Sequence, residues 1–277
     1  MGRFPGTFSF EFSAPRSEEA SEKLAEVHER LCALNPAFFS VTYGAGGSTK
    51  DGTKQAVLDI AAKGSDVAPH LSFGSDSAEK IEALINDYRA GGINRVVALR
   101  GDAPSGYGSG AMRYANELVA FIREKTGDHF HIEVAAYPEI HPDSDSVQSD
   151  LTYFKRKVEA GANSAITQYF YNADAYFRYV DACGRMGIDI PIVPGIMPIT
   201  NYKNLVRFSD KCGAEIPRWI RQHLESYADD PESQRDFGTE VVTDLCQRLL
   251  DGGAPGLHFY TLNQSLPAMR IWRNLGL

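Results

Sequence analysis

No CxxC pair occurs in this 277-residue chain, whose four cysteines, Cys32, Cys183, Cys212 and Cys246, lie far apart. That spacing argues against a zinc ribbon or a redox dithiol and leaves reduced thiols carried on helices. Basic residues are in deficit, 28 against 36 acidic, for a net charge of −8. Such a balance repels nucleic acid and anionic membrane surfaces, so neither is expected as a partner. Also missing is any apolar run near the roughly 20 residues that span a bilayer. The opening MGRFPGTFSFEF lacks the apolar core of a signal peptide, and a cytoplasmic location is expected. No low-complexity linker divides the chain, and no His, Cys or carboxylate spacing marks a metal site. A complete dinucleotide fingerprint is absent too. Gly44-Ala45-Gly46-Gly47-Ser48-Thr49 begins like GxGxxG but has Thr49 at the third glycine position, and it lacks a P-loop lysine.

What remains is a repeating pattern. Short β-rich runs near 7–12, 38–42, 67–72, 94–100, 130–136, 164–169, 191–195 and 256–260 alternate with longer periodic segments. Several runs are almost continuously apolar, as parallel strands buried on both faces must be. A helix is predicted at 17–33, where Ser17 precedes Glu18 and Glu19 as an N-cap precedes an acidic first turn. The strand ends recur about 30 residues apart, one strand-plus-helix unit, which predicts a single-domain (β/α)8 barrel over residues 1–277. A longer gap before 256–260 predicts an extra helical segment between strands seven and eight. It contains the turn-rich piece Asp229-Asp230-Pro231-Glu232-Ser233. An open doubly wound sheet uses the same units, but eight of them without the fingerprint favour the barrel.

Barrel chemistry gathers at the C-terminal rim. Glu11 lies inside Phe8-Ser9-Phe10-Glu11-Phe12, where a dry environment would favour its protonated form; a structural pair with a base such as Arg16 is the other reading. Leu99-Arg100-Gly101-Asp102 reads as a ligand-contact turn or as a structural Arg–Asp pair, with glycine permitting close approach. His70 reads as a hydrogen-bonding or cofactor-contacting histidine. Two prolines stiffen Tyr137-Pro138-Glu139-Ile140-His141-Pro142, holding Tyr137 and His141 for a planar or phosphorylated ligand. Asp150 and Lys157 stand two helical turns apart on one face, as ligand contacts or as a solvated pair. Gln168 offers an amide suited to a heterocycle or to barrel backbone, and Tyr169, Phe170 and Tyr171 beside it read as packing.

Taken in order, FEFSAPR, TYGAGGST, LRGD, AAYPEIHP, KRKVEAGANSAITQYFYN, VPGIMPITN and HFYTLN closely resemble the bacterial methylenetetrahydrofolate reductase family over nearly the whole chain. The resemblance implies a flavoprotein in which FAD passes a hydride from NADH to 5,10-methylenetetrahydrofolate, with ping-pong kinetics, in methionine synthesis. It implies a homo-oligomer as well. FAD would contact Thr42, Tyr43, Ala45, His70, Arg100, Gly101, Asp102, Tyr114, Ala115, Tyr137, His141, Asp150 and Lys157. Glu11 would be the catalytic acid, and Asp102 would act beside both flavin and pterin. Asp102, Gln168, Asn204, Phe208, Tyr260 and Gln264 would meet the substrates. Three positions depart from the family pattern: Asn204 for the frequent glutamine, Gln264 for arginine and Tyr153 for asparagine. A flavin-independent lyase would need a rim nucleophile or Schiff-base lysine, yet Lys50, Lys54 and Lys63 fall in helical segments. A non-catalytic carrier would not need Glu11, Asp102 and Gln168 together.

Overall fold

A computed structural model describes residues 6–43, 50–74, 76–101 and 114–277, the side chains of Lys50 and Asp51 excepted. Strands and helices alternate: β1 (Thr7–Phe12), α1 (Glu18–Cys32), β2 (Phe38–Val41), α2 (Lys50–Ala62), β3 (Val67–Leu71) and α3 (Ala78–Ala90). They continue as β4 (Arg95–Ala98), α4 (Ala115–Thr126), β5 (His131–Ala136), α5 (Val147–Glu159), β6 (Ser164–Thr167) and α6 (Ala173–Arg185). The last part holds β7 (Ile192–Val193), β8 (Gly195–Ile196), α7 (Tyr202–Cys212), α8 (Arg218–Ser226), α9 (Pro231–Asp251), β9 (Gly256–Tyr260) and α10 (Ser265–Asn274).

Every strand pairing is parallel, in the order β7-β6-β5-β4-β3-β2-β1-β9-β8. The two ends of that order are consecutive in sequence, separated only by Pro194. Counting β7 and β8 as one interrupted strand gives the eight-stranded barrel. Proline has no N–H to donate, so the ladder breaks there, while the Pro194 carbonyl still accepts from His258 N at 2.9 Å. At Gly195 a Cβ would lie 2.1 Å from the Thr167 carbonyl oxygen and 2.6 Å from the Tyr260 ring, so only glycine lets the strand pass.

The main core lies between barrel and helices. Strand alternation sends Phe8, Phe10 and Phe12 outward, where Phe10 packs 5.5 Å from Phe259 and 5.6 Å from Trp272, and Phe12 stacks 5.2 Å from Phe39. α1 starts as its sequence indicates, with Ser17 Oγ accepting from Ala20 N. The excursion before β9 consists of α7, α8 and α9. The 229–233 piece leads into α9, a 21-residue helix: Asp230 is its N-cap, with a side chain that accepts from Glu232 N and Ser233 N, and Pro231 occupies the first turn. All four cysteines are free thiols on helices. Among the described residues, no helix is long and apolar enough to cross a membrane.

Inside the barrel, Arg95, His131 and Ser164 open β4, β5 and β6 and gather around Glu133. Arg95 Nη1 and Ser164 Oγ each lie 2.5 Å from the Glu133 carboxylate. Burial alone would raise the Glu133 pKa, but hydrogen bonds from His131 and Ser164 and the Arg95 charge hold it low. These groups plug the N-terminal end of the barrel; the opposite end carries the site.

Candidate active site

Glu11 is the fifth residue of β1, so the alternation that turns the phenylalanines outward turns its side chain inward. Its carboxyl is therefore not bedded among Phe10 and Phe12, as the sequence suggested, but among imidazoles. Glu11 Oε2 lies 3.4 Å from His70 Nε2 and 3.6 Å from His258 Nε2, with 18% of the side chain exposed. His70 Nε2 also lies 3.2 Å from Ser40 Oγ. Burial lowers the His70 pKa, the Glu11 charge opposes that, and His258 adds to the lowering. Ser9, two residues before Glu11 on the same face, reaches His258 Nδ1 at 2.7 Å. The His258 side chain is fully buried, and its Nε2 makes no hydrogen bond among the described residues. A neutral imidazole can donate to a carboxylate or accept from a carboxylic acid, so this cradle suits either protonation state of Glu11.

Ser9 and His258 were missed as site residues in the sequence, although both lie in motifs it singled out. The signal was the alternation itself. Ser9 pairs in register with His258 and Glu11 with Tyr260, so four inward side chains meet across the β1–β9 seam. The loop after β9 ties this seam shut. Thr261 Oγ1 donates to the Glu11 carbonyl at 2.6 Å, Asn263 Nδ2 to the Ser13 carbonyl at 2.9 Å, and Ser13 N to Asn263 Oδ1 at 2.8 Å.

A cleft of about 280 Å³ opens beside the ends of β4 and β5, lined by Arg100, Tyr114, Ala115, Tyr137, His141, Asp150, Tyr153 and Lys157 among others. Seven residues predicted from sequence to touch the cofactor thus meet in one place, and Asp150 and Lys157 border a cavity rather than forming a solvated pair. Lys157 Nζ donates to the Ala135 carbonyl at 2.5 Å. Burial brings its pKa down to about 8, partly offset by Asp150. Burial raises the Asp150 pKa, opposed by a hydrogen bond from Ser144 Oγ at 3.2 Å. His141 is pulled down by burial and by Arg100; its Nδ1 accepts from Asp143 N at 3.0 Å. Arg100 pairs with Asp143. Ala115 and Asn116, the first residues of α4, line the cleft, so the positive end of a helix dipole faces it. Tyr114 and Tyr153 stack at 5.6 Å on the lip, and the Arg156 guanidinium lies 5.0 Å from the Tyr153 ring. Cations, helix amides and aromatic faces fit a dinucleotide carrying a pyrophosphate and planar rings.

The other predicted residues surround these two centres. Thr42 Oγ1 accepts from Ala14 N at 3.2 Å and its carbonyl from Thr53 Oγ1 at 2.8 Å, while Tyr43 OH donates to Asp76 at 3.1 Å. Gly101 has φ +78°, and a Cβ there would lie 2.6 Å from Ser72 Oγ. Gln168 follows β6, and its Oε1 accepts from Tyr169 N at 3.0 Å. Tyr260 OH donates to the Thr167 carbonyl at 2.7 Å. Asn204 and half-buried Phe208 lie on α7, where the Arg207 guanidinium sits 5.1 Å from the Phe208 ring. Exposed Gln264 stands at the N-cap of α10 without a side-chain cap bond. Ala45 and Asp102 lie outside the described residues. A larger hollow of about 530 Å³, between α8, α9 and the start of α6, is lined by none of the predicted residues.

The family model described as "Methylenetetrahydrofolate reductase" matches residues 5–276. The "5,10-methylenetetrahydrofolate reductase" of Escherichia coli (strain K12) is 40% identical over 269 residues, covering 97% of this chain and 90% of the relative. "Methylenetetrahydrofolate reductase (NADH) 1" of Arabidopsis thaliana is 42% identical over 289 residues, covering 98% of this chain and 48% of the plant protein. Among solved structures, an uncharacterized protein from Clostridium thermocellum, described as binding two copies of 5-methyl-5,6,7,8-tetrahydrofolic acid, superposes with a TM-score of 0.68. It covers 99% of this chain and 95% of its own at 16% identity, a likeness of fold. By its match along almost its whole length, the chain belongs to the methylenetetrahydrofolate reductase family of oxidoreductases.

Proposed function

We propose that the protein is an FAD-dependent enzyme that reduces 5,10-methylenetetrahydrofolate to 5-methyltetrahydrofolate with NADH by a ping-pong mechanism. The product supplies methyl groups for methionine synthesis, and the enzyme works as a homo-oligomer in the cytoplasm. The observation that carries this reading is a carboxyl group held by two imidazoles at the same end of the barrel as a cationic, helix-capped cleft. The name of the plant relative supports NADH as the donor, and the folate described for the structural neighbour supports the substrate class.

FAD, when bound, supplies the carrier that takes hydride from one substrate and delivers it to the other. Arg100, His141 and Lys157 offset pyrophosphate charge, Tyr137 and the Thr42–Tyr43 turn border the dinucleotide, and Asp150 orients Lys157. In the folate half-reaction, Glu11 gives its proton to N10 as the bond from N10 to the bridging methylene breaks. The electron pair of that bond stays on N10 and leaves an iminium at N5. The Asp102 carboxylate stabilises this cation, and hydride added to the methylene carbon completes the methyl group. Gln168 holds the amide edge of the pterin. Asn204, Phe208, Tyr260 and Gln264 border a site that folate and nicotinamide nucleotide occupy in turn, which produces the ping-pong order.

The test is an anaerobic titration of purified protein with NADH, followed by its visible spectrum. Bleaching of a flavin band, reversed by methylenetetrahydrofolate, is the expected result. A flavin that never bleaches removes NADH as the donor, and failure to bind added FAD removes the cofactor. In the second half of the test, Asp102→Asn is expected to alter both half-reactions while the fold is retained; unchanged kinetics in both would take Asp102 out of the site.

A further inference from the structure

The loop that carries Tyr137 and His141 is fastened to a distant part of the chain. Glu139 Oε2 accepts the backbone N–H of Glu215 at 2.8 Å, across 76 residues of sequence. Glu215 lies in the turn between α7 and α8, just beyond Gly213, the left-handed C-cap of α7. Next to Glu139, Ile140 has φ +70°, a region a β-branched residue enters only when its surroundings force it. On either side of this turn, Tyr137 and His141 meet edge to face at 4.5 Å. Pro142 lies against Gly213, where an added Cβ would come within 3.0 Å of its Cγ.

The same seam reaches the substrate side. A small crevice between the two loops is lined by Glu139 and Ile140, by Cys212 and Gly213, and by Gln168 and Tyr169. Tyr169 OH lies 3.0 Å from Ser209 Oγ on α7, the helix that also carries Asn204 and Phe208. One acceptor therefore joins a loop whose rings line the cofactor cleft to the end of a helix that borders the substrate site. Nothing else described ties Glu139 into the cleft itself: its side chain is not among the cleft-lining groups.

We infer that Glu139 is a positioning residue, which holds the strained 137–142 turn against the α7–α8 turn and so sets the geometry of the cofactor cleft and the folate-side helix together. This inference rests on the functional reading above. The partner is a backbone amide, so the essential property of residue 139 is an acceptor oxygen at that reach, not a charge; burial raises the Glu139 pKa, and the Glu215 carboxylate adds only a repulsion to that, while the bond itself is to the Glu215 backbone.

The experiment compares Glu139→Ala, Glu139→Gln and Glu215→Ala with the unaltered protein. Five quantities are measured: FAD affinity of the apoprotein by flavin fluorescence, KM and kcat for methylenetetrahydrofolate, thermal unfolding, and hydrogen exchange at residue 215. Glu139→Ala is expected to weaken FAD binding and to raise the folate KM by about tenfold each, with faster exchange at residue 215 and a smaller change in kcat. Glu139→Gln keeps an acceptor oxygen and is expected to restore all three; Glu215→Ala keeps the N–H and is expected to match the unaltered protein. Normal flavin and folate binding by Glu139→Ala overturns the inference, as does Glu139→Gln behaving like Glu139→Ala. If the unaltered protein binds no FAD, the functional reading falls with it, whereas exchange at residue 215 still reports whether Glu139 holds that amide.

Discussion

Ser9 Oγ stands 2.7 Å from His258 Nδ1 across the seam between the first and last strands, leaving the opposite imidazole nitrogen turned toward Glu11. The serine fixes the ring, and the ring faces the acid. Ser9→Ala is expected to slow folate turnover about tenfold while NADH still reduces the flavin at its normal rate, which rapid-reaction spectroscopy of the separate half-reactions would measure. A loss shared equally by the two halves would place Ser9 in general support of the barrel.

Glu11→Gln keeps size and polarity but cannot give a proton to N10. Flavin should stay bound and reducible, while turnover of methylenetetrahydrofolate falls by at least about a hundredfold, the typical contribution of a general acid. Equal damage to both half-reactions would contradict the acid role.

The lowered Lys157 pKa predicts a pH dependence whose sign follows from the charges. The folded apoprotein releases the Lys157 proton near pH 8, below the ordinary lysine value, because its ammonium is buried. From about pH 8 up to that ordinary value, the unfolded chain holds more of this proton than the folded chain does. The penalty for burying the charge is present in full below pH 8 and is relieved as pH rises through that window, so this group makes the apoprotein relatively more stable there. Flavin binding is expected to run the other way, since a pyrophosphate beside Lys157 would favour the charged amine. FAD affinity should fall as pH passes 8 and binding should take up a proton, both measurable by calorimetry in buffers of different ionisation heat. Lys157→Met should bind more weakly at pH 7 and lose most of the slope.

Phe10 is fully buried against Phe39, Phe259 and Trp272. Phe10→Ala is expected to destabilise the fold by about 3–5 kcal/mol, read from chemical denaturation. Since its ring lies on the helix-facing side of β1, whatever protein remains folded should bind FAD with near-normal affinity.

Much of this was legible because the barrel repeats its signal. The spacing of strand ends located β1 through β6 to within a few residues, and the Ser17 cap marked the start of α1. Strand seven was harder to read. Pro194 breaks its ladder into two short pieces, and a run of 191–195 gives no local sign that one half pairs back to β6 and the other forward to β9. At the site, the loop residues were readable because two prolines or a glycine announce a fixed turn. The surroundings of Glu11 were misread for a specific reason. Adjacent phenylalanines in sequence are opposite-facing neighbours in a strand, and the groups that touch the carboxyl come from β3 and β9. A long-range partner such as His258, 249 residues from Ser9, carries no local signal.

That separation also governs when activity can first exist. While the chain is being synthesised, β1 must wait with one edge unpaired until β9 emerges: β3 supplies the His70 imidazole early, but the second imidazole facing Glu11, that of His258, comes only with β9. Closure of so distant a pair is slow compared with local helix formation, and an incomplete barrel exposes both a strand edge and its row of phenylalanines. A nascent chain that has made every residue lining the cleft beside β4 and β5, all of which precede Glu159, has therefore not yet closed the β1–β9 seam around Glu11. The cleft and the closed seam are thus completed at different moments of translation.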